Sequence, residues 1–477
     1  MTDARPPEPE MPAWRMRTTA VIVAVALFMQ TLDSTVVTTA LPAMARSFHI
    51  NPLDMSVCVT SYLIALSVFI PASGWVADRF GARQVFRAAI IIFTLGSIVC
   101  GIAPNLLVLV MARVVQGAGG AMMLPVGRLL LLRSVSRAQM VTAMTWLTMP
   151  ALLGPVLGPP LGGFIVSFAS WRWVFDINVP VGMAGVAAVS LFIPDVREEG
   201  RGGHLDTLGL VLSGLAMALL MAGMETMGRG LVPAFWTVFA FMAGVGACLA
   251  YWRHARRMDN PVLDFTLFKV DTFRVSVTAG SFFRVSVGAL PFLLPLMLQL
   301  GFGKSPLQSG MITFAAAAGA LAMKLATQPL LSRFGFRAVL MWNGVAAVAS
   351  MAVTAVFSPA WPGLLMSLVL FIAGFFRSLQ FTAFNAIAYG DIARPRMAAA
   401  TTLYATVQQL SLTMGVVVGA ASLEISGWAF GHAASGLLDY RVAFLIVSGV
   451  AALAIPLCAR LPVAAGDALT RSAPPLR

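Results

Sequence analysis

Gly74-Trp75-Val76-Ala77-Asp78-Arg79-Phe80-Gly81-Ala82-Arg83 is a short basic turn set directly after a long apolar run, and Ser332-Arg333-Phe334-Gly335-Phe336-Arg337 repeats its core later in the chain. In both copies an Arg-Phe-Gly step precedes a second arginine, and a new apolar run follows. A charged turn between two apolar helices suits a bilayer, because each helix satisfies its own backbone hydrogen bonds while the turn stays in water. Its recurrence in the two halves marks an internal repeat, a sign of transporter folds that rock two halves about a central site.

Working outward from these turns, apolar runs of roughly 20 residues, enough to cross a bilayer, begin near residues 18, 56, 86, 106, 140 and 174. Two more begin near 206 and 234, and a further set near 272, 307, 337, 361, 398 and 441. The expected fold is therefore all-α and integral to the membrane, with about 14 transmembrane helices arranged as two six-helix bundles plus two extra central helices. The expected divisions are residues 1–194 for the N-terminal bundle, 195–258 for an inserted two-helix segment and 259–477 for the C-terminal bundle. Charged, glycine-bearing stretches at 195–205 and 259–271 read as the linkers. Composition agrees: 59% of the 477 residues are hydrophobic and 11% charged, against about a quarter charged in a soluble domain.

The net charge of +13 would suggest nucleic acid in a soluble protein, but the bases are placed for a membrane. Arg5, Arg15 and Arg17 lie in the N-terminal tail, and Arg79, Arg83, Arg87, Arg133, Arg137, Arg197, Arg201, Arg253, Arg256, Arg257, Lys269, Arg274, Arg333, Arg337, Arg394 and Arg396 lie in alternate loops. Arg460, Arg471 and Arg477 end the chain, while the opposite loops hold only Arg46, Arg172, Arg229, Lys304 and Arg441. This bias puts both termini in the cytoplasm and leaves no role for nucleic acid. The first run, residues 18–40, is longer than a signal-peptide core of about 7–15 residues, so despite Ala43-Met44-Ala45 it reads as a retained helix.

No cofactor or metal centre is expected. Cys58, Cys100, Cys248 and Cys458 sit singly in apolar stretches, and His49, His204, His254 and His432 form no cluster. Neither a zinc-protease HExxH, a nucleophile elbow nor a phosphate-binding loop occurs, so the chain is not expected to be an enzyme.

The turn at Gly74–Arg83 resembles the loop signature of the major facilitator superfamily, with Ala82 where that family often has a basic residue. In this reading Gly74 permits close helix approach, Gly81 a tight turn, and Asp78, Arg79 and Arg83 a charge lock that acts as a conformational switch; a plain topological anchor is the alternative. Arg113-Val114-Val115-Gln116-Gly117 resembles the family's fourth-helix motif. Gly154-Pro155-Val156-Leu157-Gly158-Pro159-Pro160-Leu161-Gly162-Gly163 resembles its antiporter motif. The spacing of Gly154, Gly158 and Gly162 by itself shows only one close-packing helix face, with Pro155 and Pro159 permitting a bend.

Leu32-Asp33-Ser34-Thr35-Val36-Val37, Trp171-Arg172-Trp173-Val174-Phe175-Asp176-Ile177-Asn178-Val179-Pro180-Val181-Gly182, Asn260-Pro261-Val262-Leu263-Asp264 and Ser305-Pro306-Leu307-Gln308-Ser309-Gly310 narrow the likeness to the fourteen-span drug:proton antiporters. Within them the run Gly120-Ala121-Met122-Met123-Leu124-Pro125-Val126-Gly127-Arg128 is similar to MdtD-type members. The resemblance covers nearly the whole chain. It implies a proton-coupled efflux transporter for multiple drugs or toxic compounds, of the bacterial inner-membrane type, working by alternating access with a small-molecule substrate, protons and the lipid bilayer as partners. Nothing in the sequence identifies an accessory protein.

Asp33 is the expected proton carrier. Counting about 1.5 Å per residue from Thr18 puts it roughly 22 Å above the inner boundary, and Arg113 lies about 10 Å below the outer start of its span. In a core about 30 Å thick these depths match to within a few Å, so an Asp33–Arg113 ion pair is expected, either as a proton-exchanging site or as a static link. Arg284, Lys324 and Arg377 place buried positive charge in the C-terminal bundle with no equally deep acid. With Gln116 they are the candidate substrate contacts. Their sign supports an alternative cargo of organic anions or metal chelates such as citrate-type carboxylates.

Overall fold

The structure, a computed structural model, describes residues 13–134, 140–193, 206–226, 233–258, 261–393, 396–431, 436–462 and 465–466. The first linker, 195–205, lies outside the described residues, as do Arg5, Arg137, Arg197, Arg201, Arg229, Arg394, Arg471, Arg477, His204 and His432. Among the described residues there is no strand.

In chain order the helices are α1 (Ala13–Phe48), α2 (Ser56–Phe69), α3 (Ser73–Phe80), α4 (Ala82–Gly101), α5 (Leu106–Ser134), α6 (Met140–Phe168), α7 (Trp173–Asp176) and α8 (Asn178–Phe192). Next come α9 (Thr207–Thr226) and α10 (Ala234–Ala255). The remainder are α11 (Asp271–Leu296), α12 (Pro306–Ala352), α13 (Gly363–Ile387), α14 (Met397–Phe430), α15 (Leu437–Ala452) and α16 (Ala454–Cys458). Among the described residues, twelve helical stretches are long and apolar enough to cross a membrane. One of them, Pro306–Val356, has 51 residues, and at about 1.5 Å each it would be more than twice as long as a 30 Å core is thick. It is broken at Gly335, where φ is 73° and ψ 163°, which divides it into two arms, each about as long as a 30 Å core is thick or longer. α6 adds a 29-residue helix, with an apolar stretch at Val156–Phe168.

The repeated turns explain themselves locally. Gly81 has φ 87° between α3 and α4, and Gly335 takes the matching positive φ inside α12. Side chains with a Cβ resist this region, so glycine lets the chain reverse in a minimal turn. The Ser305-Pro306-Leu307-Gln308 stretch is a capping box. Ser305 Oγ accepts from the Gln308 amide at 3.2 Å, and Gln308 Oε1 accepts from the Ser305 amide at 3.1 Å. Pro306 takes the first helical position, where no amide is needed.

In the first bundle α1 packs on α6 and α8, α4 on α5 and α8, and α2 on α5; in the second, α12 packs on α13 and α11 on α14 and α15. The bundles meet through α6 and α12, α2 and α14, and α1 and α11. The α9–α10 hairpin packs on itself and leans on α2 and α14. Its ends are joined by His254 Nε2 and Asp206 Oδ1 at 2.6 Å.

Candidate functional site

α1 carries Asp33 into the middle of the first bundle, where it is 1% exposed. Arg113 on α5 donates through Nη1 to Asp33 Oδ2 at 2.6 Å. Asp33 Oδ1 accepts from Gln116 Nε2 and Asn178 Nδ2, each at 2.9 Å. Arg113 and Gln116 are three residues apart and so share one face of α5. Arg113 Nη1 also donates to Gln116 Oε1 at 2.7 Å, and its Nε donates to the Cys58 carbonyl at 3.1 Å. Ser97 Oγ on α4 accepts from Asn178 at 3.0 Å and donates to the Phe175 carbonyl at 2.9 Å. The guanidinium lies 4.1 Å over the ring of Tyr62. A buried ion pair persists only when its remaining lone pairs and protons are met, and this network meets all of them except Arg113 Nη2, which is buried without a partner.

Gln116, expected among the substrate contacts, is instead fully buried in this network. It belongs there because its position one turn from Arg113 points it at the same carboxylate. Asn178 and Ser97 were not singled out by sequence reasoning. Asn178 did carry a signal, as an amide at the head of an apolar helix within a quoted motif; Ser97 carried none.

α6 presents its glycines to α1. A Cβ on Gly154 would run into Thr31, one on Gly158 into Thr35 and one on Gly162 into Val36. The opposite side of α6 meets the second bundle, where Gly163 lies against Pro306 and Leu307, and Gly310 against Pro159. Two hydrogen bonds between bundles lie at this same end, from Gln299 Nε2 to the Thr39 carbonyl at 3.0 Å and from the Leu307 amide to Ser167 Oγ at 3.2 Å. The side chain of Pro155 lies outside the described residues.

Between the bundles are two adjoining cavities. One of about 200 Å³ is lined by Thr35, Thr38, Thr39, Pro159, Thr313 and Arg377 among leucines and alanines. The other, about 440 Å³, is lined by Val156, Lys324, Arg377, Ser378, Phe381 and Asn385. Arg377 faces both, and among the described residues it makes no hydrogen bond or ion pair. Its context repeats that of Arg113: Arg377-Ser378-Leu379-Gln380 echoes Arg113-Val114-Val115-Gln116. Gln380 is buried like Gln116, but it bonds Asn343 at 3.0 Å and the Leu340 carbonyl at 2.9 Å, with no carboxylate in the set. The first copy of the motif is neutralised by Asp33, and the second turns its cation to the cavity.

The other two cations are placed differently from Arg377. Lys324 is exposed rather than buried, and its Nζ donates to Thr382 Oγ1 at 2.7 Å. Its long stem carries the ammonium out of the helix packing. Arg284 is 1% exposed and lines neither cavity. It stands behind their wall, hydrogen-bonded to the hydroxyl of Tyr404 and to Asn385 Oδ1, the latter at 3.3 Å. The rings of Tyr404 and Phe381 flank it at 4.7 Å and 5.5 Å.

Of the residues expected to form a switch, Arg83 Nη2 donates to the Ser190 carbonyl at 2.5 Å near the end of α8, a placement that the helix dipole favours. Arg79 is exposed, and the side chain of Asp78 lies outside the described residues. The close helix approach expected at Gly74 is absent: a Cβ there would meet nothing within 4 Å.

Comparison with known proteins agrees with this architecture. The pattern of the Major Facilitator Superfamily matches residues 23–416. A protein of Serratia proteamaculans named "Putative multidrug resistance protein MdtD" is 42% identical over 402 residues, 83% of each chain. One of the same name from Pectobacterium atrosepticum is 38% identical over 440 residues, 91% of this chain and 93% of that one. Among solved structures, a D-xylose-proton symporter superposes with a TM-score of 0.67 at 14% identity, covering 94% of this chain and 98% of its own.

Proposed function

The chain belongs to the major facilitator superfamily and is a multi-pass membrane transporter of small molecules, and from that premise we propose that it exports its substrate in exchange for protons. One observation carries the proposal: a carboxylate enclosed within a membrane-spanning bundle and held by a guanidinium and two amides. An ionisable group there is expensive and marks a functional site. Protonating Asp33 removes the charge that Arg113, Gln116 and Asn178 converge on, so α1 loses its hold on α5 and α8. α1 also forms the ledge on which the glycines of α6 lie, and α6 forms the seam with α12. A change of protonation on one face of α1 is thus transmitted to the contact between bundles.

In this reading the chain crosses the membrane about fourteen times, with α6 and both arms of α12 counted. Both termini face the cytoplasm, as the alternation of arginines indicates, and the location is of the bacterial inner-membrane type. The seam of α6 and α12 then lies on the outer side, and the conformation is closed outward. Opening outward would swing the second bundle onto the other end, where Gly74 leaves room for it and where Asp78, Arg79 and Arg83 act as the switch. The chain does no covalent chemistry; Arg377 and Lys324 meet the cargo, and Arg284 supports the wall behind it.

The test is proton flux in everted, energised vesicles given panels of lipophilic cations and of organic anions. Substrate should collapse the pH gradient in the wild type and not in Asp33→Asn; equal collapse in both would remove Asp33 from the coupling. A second reading of the cargo rests on Arg377, an unpaired guanidinium at the cavity, with Lys324 beside it: organic anions, or metal chelates such as citrate-type carboxylates, would supply the missing counter-charge. Collapse by anions alone, lost in Arg377→Ala, favours that reading, and collapse by cations alone favours the multidrug one.

A further inference from the structure

The two repeats carry matching grooves on their outer flanks. The first, about 550 Å³, runs between α3, α4 and α5 and is lined by Phe80, Val85, Arg87, Ala88 and Ile92 among others. The second, about 470 Å³, runs between the arms of α12 and α13 and is lined by Phe334, Val339, Trp342 and Ala346 among others. Counted from Gly81 and Gly335, Phe80 matches Phe334, Val85 matches Val339, Ala88 matches Trp342 and Ile92 matches Ala346. The register differs in polarity at three places: Gln84 and Arg87 stand where the second repeat has Ala338 and Met341, and Ala89 stands where it has Asn343, but the one difference in charge is at Arg87. No acidic side chain lines either groove among the described residues. Arg87 is exposed, and among the described residues it makes no hydrogen bond or ion pair.

We propose that the α3–α4–α5 groove binds an anionic phospholipid, with one acyl chain along Phe80, Ala88 and Ile92 and the phosphate held by Arg87. The apolar walls open outward from the helix bundle, at 55% exposure for Phe80 and 40% for Ile92, and in a bilayer an acyl chain is what meets such a wall. Arg87 lies five residues into α4, about 8 Å from its start. Helical side chains lean toward the N-terminus, so the guanidinium reaches toward the Gly81 turn, where headgroups sit. A planar guanidinium without a partner suits a phosphate, which it can grip through two parallel hydrogen bonds, and basic pockets between membrane helices recognise lipid headgroups in this way. The second groove has the apolar walls without the cation, so it accepts a chain but does not select the headgroup. Because Val76 and Phe80 of α3 form one wall of the first groove, a lipid seated there bears on the switch motif. The inference needs only that α4 lies in a bilayer, and it stands apart from proton coupling.

The experiment uses the full chain in bilayer discs containing equal phosphatidylglycerol and phosphatidylcholine, one of them bearing a photoreactive acyl group. After illumination, labelled peptides covering residues 80–92 and 334–346 are compared. The phosphatidylglycerol probe should label the first segment more strongly than the second, by about tenfold for charge-assisted hydrogen bonds; the phosphatidylcholine probe should label both alike. Arg87→Gln should equalise the two segments, and Arg87→Lys should keep most of the preference. Equal labelling of both segments by the phosphatidylglycerol probe in the wild type would overturn the proposal. So would an unchanged preference in Arg87→Gln. If Arg87→Gln does not fold, the contrast between the two probes on the wild type decides alone.

Discussion

Placing a methyl group on Gly158 tests whether the packing of α1 on α6 holds the seam between bundles. In Gly158→Ala the new Cβ would sit 2.6 Å from Thr35 Cβ and closer still to its hydroxyl. Carbon atoms rest at about 3.5–4.0 Å, so the helices must part by about 1 Å. α6 has little slack in which to move, since its far side is in contact with α12 at Pro159 and Gly310. Overpacking of this kind costs about 1–3 kcal/mol. If that cost falls on the closed seam, the ratio of closed to open states changes by about 5- to 150-fold. Substrate flux in everted vesicles should therefore fall at least several-fold, while a melting curve in detergent shows a smaller relative loss. Replacing the obstacle gives the control: Thr35→Gly removes both atoms that the new methyl meets, so the double variant should recover much of the flux. Wild-type flux in Gly158→Ala, or no recovery in the double variant, would refute the reasoning.

Three further outcomes follow from the geometry. Asn178→Ala removes one of the amides on Asp33, a hydrogen bond to a charged group worth about 1.5–3 kcal/mol; substrate-driven proton flux should drop while Asn178→Asp, measured alongside, fails more severely because it sets a second carboxylate beside the first. Arg377→Ala should abolish transport of any anionic substrate and leave expression and melting temperature near wild type, since Arg377 holds no described hydrogen bond that its loss would break. At the linker, partial burial raises the proton affinity of Asp264, but hydrogen bonds from Thr266 and Arg396 outweigh it and hold the carboxyl below its ordinary range. The folded value thus lies below the unfolded one, so this contribution to stability is present above about pH 4 and fades as pH falls further. Asp264→Asn should lower the melting temperature at pH 7, and the gap should narrow only below about pH 4.

Much of the fold is legible because a bilayer leaves few solutions. Long apolar runs, arginines in alternate loops and two copies of an Arg-Phe-Gly turn each point to paired helical bundles before any contact is known. The Asp33–Arg113 pair could be reached from helix rise alone, since two charges at one depth in a medium that penalises both have reason to meet. The helical spacing of Gln116 was equally available, and it should have assigned that amide to Asp33 instead of the cavity. The repeat of Arg-x-x-Gln at residues 113 and 377 was also open to reading. What sequence could not supply is the direction in which each cation turns. Arg284, Lys324 and Arg377 all sit in apolar helices, yet one is enclosed behind Tyr404, one is exposed at the rim of the larger cavity and one faces both cavities. That outcome depends on which helix packs beside each of them, a tertiary matter that periodicity does not encode. Gly74 shows a further gap: its open surroundings reflect one conformation of a protein that, in our account, alternates between two.

The coupling role of Asp33 is tested most directly by substrate-induced proton movement in everted vesicles, compared between wild type and Asp33→Asn at matched expression. Our account predicts that adding substrate collapses the imposed pH gradient in the wild type and leaves it intact in Asp33→Asn. A gradient that collapses equally in both would contradict it.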